Sequence, residues 1–372
     1  MILARPDLVH LPAGGPYLAT HSAGCIPKTA LPIAQQHYFE PWVALGGDAW
    51  PKWLSGLDDY RELLASLLGG NAADYCPQPN LSAGLSKLLP ALPRPTTDKN
   101  VWIATEETFP SLGFAMQMSE RWGYKIRFIP RERDPAELET WIDAMLPDVC
   151  GALVMHVHSN TGVVAPVIEI AKLCAERGLF SLIDVAQSAG ILPLDVEAIG
   201  ADVVLGSCIK WLCGGPGAGF MWIRPTLIDK LEPADVGWFS HSDPFEFDIR
   251  SFRYAIDARR FMGGTPAVAP YIIATAGLRL LAEFEVERAF SHNRLLMSYF
   301  LDSAPATIRA AARLNRIGGT LCVEVGKQID TVRAALTTAG VRFDCRGSVV
   351  RISFHLYNTI DDAILAARAW PR

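Results

Sequence analysis

The chain has 372 residues, of which 50% are hydrophobic and 20% charged, with a net charge of −5. That length accommodates a large domain with a smaller one beside it, and the balance is that of a globular protein. Without basic stripes or interleaved aromatic platforms it offers nothing to nucleic acid or an anionic membrane, and no run reaches the roughly 18 apolar residues of a membrane helix.

At the start, Pro6 and Asp7 interrupt any signal-peptide core, so a cytoplasmic location is expected. The eight cysteines are scattered without a C-x-x-C pair, which suggests reduced thiols and no metal site. Residues 1–30 read as an N-terminal arm packing near the smaller domain. From about residue 55, apolar runs at 101–104, 125–129, 152–157, 180–183, 203–205 and 219–223 predict strands. Helical patterns at about 82–92, 111–122, 135–146 and 165–177 lie between them. This α/β alternation predicts a mostly parallel sheet covered by helices on both faces, within a large domain spanning 31–264. After residue 265 come long helices at about 266–284 and 287–302, a strand at 321–325, a helix at 328–339 and a strand at 349–353. They predict a smaller α+β domain, 265–372.

Active sites of parallel sheets form beyond the carboxyl ends of the strands. Asp184 ends one predicted strand, and Lys210 follows the next after 26 residues. A lysine and an aspartate so placed are the pair that pyridoxal phosphate (PLP) chemistry needs. The amine supplies the nitrogen of a Schiff base, and the carboxylate keeps the pyridine nitrogen protonated. Alone, Lys210 would read as a solvated loop end and Asp184 as a strand-end cap. Their surroundings favour the chemical reading. Ser207 offers a hydroxyl to a phosphate, and Gly214-Gly215-Pro216-Gly217-Ala218-Gly219 supplies a chain able to turn sharply. Ala186 is small enough for a flat ring to lie against the sheet, and Gln187 offers an amide to the ring's phenolic oxygen.

The central block Asp184-Val185-Ala186-Gln187-Ser188-Ala189-Gly190, Pro193-Leu194-Asp195, Gly200-Ala201-Asp202, Ser207-Cys208-Ile209-Lys210-Trp211-Leu212 and Gly215-Pro216-Gly217 resembles the class V aminotransferase group of PLP enzymes. Outside it, Thr20-His21-Ser22-Ala23-Gly24, Phe109-Pro110-Ser111, Gly237-Trp238-Phe239-Ser240-His241, Gly264-Thr265-Pro266 and Arg351-Ile352-Ser353-Phe354-His355-Leu356-Tyr357-Asn358-Thr359 extend the likeness, and within the group the chain resembles the kynureninases. The resemblance implies the fold type I PLP-dependent transferase fold, as a homodimer with composite active sites.

By position, the resemblance assigns Leu81 and Ser82, at a helix start, to the cofactor phosphate; the plain alternative is a serine N-cap. Phe109 corresponds to the aromatic stacking on the pyridine ring, and Ser207 to a phosphate contact. Trp238 and Thr265 correspond to residues reaching the neighbouring subunit's phosphate. Arg351, in an apolar strand, needs a partner, either an internal acid or the α-carboxylate of an amino-acid substrate. Ser22, His158 and Ser159 are matched to substrate contacts.

Three departures bear on the reaction. Ile209 stands where kynureninases have tyrosine, Gln187 replaces their histidine, and the spacing from Arg351 to Leu356-Tyr357-Asn358 follows the broader class V pattern. A cysteine desulfurase would need a thiol on a mobile loop before the arginine, and only Cys345 lies there. The expected activity is kynureninase-like hydrolysis of the Cβ–Cγ bond of a kynurenine-type amino acid. The alternatives are class V transamination, a related lyase or epimerase reaction, and a non-catalytic binding protein that keeps the fold.

Overall fold

In the computed structural model, residues 3–311 and 316–371 are described. Seven strands form the principal sheet: β1 (Tyr75–Gln78), β2 (Val101–Thr105), β3 (Lys125–Ile129), β4 (Val149–Met155), β5 (Phe180–Asp184), β6 (Val203–Ser207) and β7 (Gly219–Ile223). Their order is β1-β7-β6-β5-β4-β2-β3. The run from β6 to β3 is parallel, while β7 is antiparallel to both β6 and β1.

Unbroken apolar strands are what a sheet buried on both faces demands. Along β4, Ala152 and Val154 join one core cluster while Leu153 and Met155 join the opposite one. Ile183 and Leu182 of β5 divide the same way, as do Val204 and Leu205 of β6. On one face the helices Trp50–Leu68 and Val268–Phe284 pack together, and on the other Leu81–Leu88 packs against Pro110–Gln117. Thus the first long helix after residue 265 contributes Tyr271, Ala274, Leu278 and Leu281 to the core of the large sheet.

A separate core lies around β8 (Thr320–Glu324), β9 (Asp344–Arg346) and β10 (Val349–Ser353), an antiparallel sheet with β10 central. The arm joins this part through Leu18, which is buried in its core. The Leu18 N–H donates to the Arg342 carbonyl at 2.7 Å, and the Ser353 N–H donates to the Leu18 carbonyl at 2.8 Å.

The topology gathers several chain segments at one sheet edge. Because β2, β4, β5 and β6 are parallel, their carboxyl ends coincide. The antiparallel register of β7 places Gly219 opposite both Ser207 and Gln78. The turn leading into the Leu81–Leu88 helix therefore opens beside the ends of β5 and β6.

Candidate active site

A cavity of 460 Å³ lies at this edge, between the large sheet, the arm and β9. Asp184 and Lys210 both line it. Asp184 is buried at the end of β5, and its Oδ1 accepts the Ala186 N–H at 2.7 Å. Burial raises its pKa, while Lys210 and the Ala186 N–H act in the opposite direction. The Lys210 amine is pushed down to about 8 by burial; Asp184 draws it up, and Arg346 and Arg351 push it further down. A usable fraction of neutral amine is thus available as a nucleophile without extreme pH.

The position of Lys210 depends on close backbone approach. The Gly24 N–H donates to the Ile209 carbonyl at 2.7 Å. A Cβ on Gly24 would collide with the Lys210 carbonyl and would lie 2.8 Å from Cys213 Sγ. After Lys210 the chain turns back through Cys213, whose φ of 51° lies in the left-handed region.

Phe109 forms a wall of the cavity. The Lys210 amine lies 5.4 Å from its ring centroid, and the Arg346 guanidinium carbon 5.5 Å. Leu81 and Ser82 also line the cavity, at the first turn of their helix, where backbone N–H groups have no intrahelical acceptor. Asn80, not Ser82, is the N-cap, accepting the Ala83 N–H at 2.9 Å; the Ser82 hydroxyl donates to the same Asn80 Oδ1 at 2.8 Å. Ser207 completes this end. Ala186 and Gln187 lie beside Asp184, with the Gln187 amide donating to the His21 carbonyl at 3.0 Å.

Ser22 and Ser159 are brought to the cavity; His158 and Arg351 do not line it, and Trp238 and Thr265, expected to serve a neighbouring subunit, lie apart from it. His158 is fully buried, whereas its neighbours Val157 and Ser159 line the cavity. Among the described residues neither of its ring nitrogens has a hydrogen-bond partner, and burial pushes its pKa down to about 4. Trp238 and Thr265 lie elsewhere in the same chain, where Trp238 Nε1 donates to Thr265 Oγ1 at 3.2 Å. Trp238 borders a second cavity of 340 Å³ with Phe247, Ile249 and Phe252.

Arg351 also departs from the substrate-facing expectation. It is 2% exposed, and its guanidinium grips Asp344 through Nε, at 2.7 Å, and Nη2, while Nη1 donates to the Ser159 carbonyl at 2.8 Å. The internal acid has taken the fork. Asp344 Oδ1 also lies 3.1 Å from His21 Nε2. The arginine that lines the cavity is Arg346, together with His21. For Arg346 the available sequence signal was its period-two spacing from Asp344, which puts both side chains on one face of a strand.

The sequence pattern described as aminotransferase class-V matches residues 89–364, most of the chain. The chain belongs to the class V aminotransferase family. Its curated relatives include an uncharacterized aminotransferase, YcbU, from Bacillus subtilis, 26% identical over 93% of each chain. The kynureninase of Pseudomonas fluorescens is 29% identical, covering 78% of this chain and 71% of its own. Among solved structures, the complex of the cystine C-S lyase C-DES with cysteine persulfide has a TM-score of 0.85 at 20% identity, covering 96% of this chain and 98% of that one. The apo cysteine desulfurase of Thermococcus onnurineus NA1 has a TM-score of 0.81 at 20% identity, covering 98% and 96%. These last two likenesses show that the chain shares their fold.

PLP is the cofactor of this class V chain, and the cavity fits it. A buried carboxylate suits a protonated ring nitrogen, a lysine of lowered pKa suits an aldehyde, and Phe109 offers an aromatic face. The free N–H groups of a helix start, with the hydroxyls of Ser82 and Ser207, suit a phosphate.

Proposed function

We propose that this class V enzyme acts on an L-amino acid by kynureninase-type hydrolysis of the Cβ–Cγ bond, releasing alanine and an aromatic acid. The observation that carries the amino-acid chemistry is the convergence of Lys210 and Asp184 on one cavity beneath Phe109. The choice of bond rests on the kynureninase relatives. When bound, PLP supplies an aldehyde for covalent attachment of an amine and a ring that accepts electrons.

The chain's residues divide the remaining work. Lys210 holds the cofactor and then moves a proton at the substrate Cα. Asp184 would hold a proton on the ring nitrogen, Phe109 and Ala186 would offer apolar surface to the ring, and Gln187 would offer an amide to its hydroxyl. Leu81, Ser82 and Ser207 hold the phosphate. Ser22 and Ser159 border the substrate.

Incubation of the purified, PLP-loaded protein with L-kynurenine should yield alanine and anthranilate in equal amounts without a 2-oxo acid. Absence of alanine would refute this reaction while leaving the cofactor assignment intact. Amino transfer is the second reading, favoured by Ile209, whose alkyl side chain lines the cavity and has no proton to give. It predicts glutamate formation that depends on added 2-oxoglutarate. Desulfuration by a protein thiol is disfavoured because Cys345 lies within β9 and packs against the small core.

We further propose a homodimer. Phe247 and Ile249 are 71% and 97% exposed in a single chain, beside Trp238 of the Trp238–Thr265 pair expected to meet a neighbouring subunit. Sedimentation should give twice the chain mass, and a monomer would remove this assignment.

A further inference from the structure

We propose that a cavity at the amino ends of β2, β4 and β5 is a further ligand site, one that takes a small aromatic carboxylate. Its volume is 360 Å³, within the range of small-molecule pockets, and it shares no lining residue with the PLP cavity. Trp102 stands near the start of β2, Cys150 near the start of β4 and Phe180 at the start of β5, whereas Asp184 closes β5 at its other end.

The walls select a ring. Trp102 lies edge-on to Tyr124 and to Phe180, with ring centroids 6.3 and 5.9 Å away, and all three border the cavity with Leu92 and Leu179. The Tyr124 hydroxyl is already committed, donating to the Pro93 carbonyl at 2.8 Å. The Trp102 indole is not. It is 1% exposed, and among the described residues its N–H has no acceptor. A buried donor left unpaired carries a desolvation penalty, so a ligand oxygen delivered to this wall supplies the missing acceptor.

Charge enters from one side chain. Arg94 borders the cavity and has no carboxylate partner among the described residues. Lys99 instead turns its amine to the Arg177 and Gly178 carbonyls, at 3.4 and 3.1 Å. The acid of the lining, Asp202, is occupied on Oδ2 by the Ser181 N–H at 2.7 Å and hydroxyl at 2.9 Å, and its Oδ1 lies 3.5 Å from Arg224 Nη2. Arg94 therefore remains for a carboxylate, which a guanidinium fork receives bidentately. The same residue borders an adjoining cavity of 370 Å³ with Arg121 and Trp122, so a fused second ring has space there.

The probes are 2-naphthoate and its neutral counterpart 2-naphthamide, titrated calorimetrically into PLP-loaded protein while the visible absorbance of the cofactor is followed. Naphthoate should bind about tenfold or more tightly than the amide, with the absorbance unchanged. Arg94→Gln should weaken naphthoate by about tenfold and leave the amide within about twofold. Trp102→Phe keeps an aromatic wall and removes the N–H, and should weaken both probes by about fivefold.

The assignment is overturned if naphthoate does not bind, if the amide binds equally well, or if Arg94→Gln binds naphthoate as the parent does. A perturbed cofactor absorbance would place the probe in the PLP cavity and overturn it as well. Circular dichroism checks the fold of each variant, and because Arg94 is exposed, its variant keeps the test decisive if Trp102→Phe does not fold. Undiminished binding of both probes to a folded Trp102→Phe would remove the indole from the site and the assignment with it.

Discussion

The Lys210 amine should titrate far below an ordinary lysine, and Asp184 should be what keeps it from falling further. Burial takes the amine from its usual 10.5 to about 8, equivalent to roughly 3 kcal/mol against the ammonium form. At pH 7.5 about a quarter of the amine is then neutral, compared with about one part in a thousand for an exposed lysine. Asp184 stabilises the charged form, so Asp184→Asn should move the midpoint to still lower pH. The assay is reductive methylation of cofactor-free protein with formaldehyde and cyanoborohydride, following the Lys210 peptide by mass spectrometry across pH 6 to 11. The labelling rate should be half-maximal at about pH 8 in the parent and at lower pH in Asp184→Asn. A midpoint shared with the surface lysines would refute the buried placement. An upward shift in Asp184→Asn would refute the pairing of the two side chains.

Removing the acid that pairs with buried Arg351 should destabilise the fold. Asp344→Ala strands Arg351, which is 2% exposed, and should cost about 3–5 kcal/mol in urea unfolding; a change below about 1 kcal/mol would contradict the buried pair. Acid should also loosen the protein, because burial holds His156, His158 and His355 at about 4 against a usual 6.5. The unfolded chain binds more protons in that interval, so their contribution is complete above pH 6.5 and is lost as pH falls toward 4, by up to about 2 kcal/mol each between pH 7 and 5. Urea midpoints measured through this range check the slope, and a flat profile would contradict it. Phe109→Ala removes an aromatic wall and should weaken PLP binding by about tenfold, read by equilibrium dialysis, with little change in secondary structure.

The sequence signals that survived intact are those in which a short run decides its own environment. Leu182 and Ile183 are apolar on both sides of a strand, so their burial on opposite sheet faces follows, and Asp184 is left at the strand's end. Strand β1 escaped this reasoning because Tyr75-Cys76-Pro77-Gln78 contains a proline. The structure accommodates it at the sheet edge, where a missing N–H breaks no ladder on the open side. His158 was matched to the site by the resemblance, just after a predicted strand running through Val157. The strand ends at Met155, and the following bridge between Val157 and Val164 leaves His158 in the interior. The arginines needed register. Only the alignment of Asp344 opposite Arg351 across β9 and β10 reveals which guanidinium is already paired and which borders the cavity. Trp238 and Thr265 required knowledge of a second chain, which local spacing does not contain.

The central claim is that Lys210, set against Asp184, is the residue that holds PLP. Reduction of the PLP-loaded protein with sodium borohydride, followed by peptide mapping, tests it directly. The cofactor should be found on Lys210, and Lys210→Ala should retain its fold while losing both the visible absorbance and the label. Cofactor fixed to another lysine, or undiminished labelling of Lys210→Ala, would contradict the account.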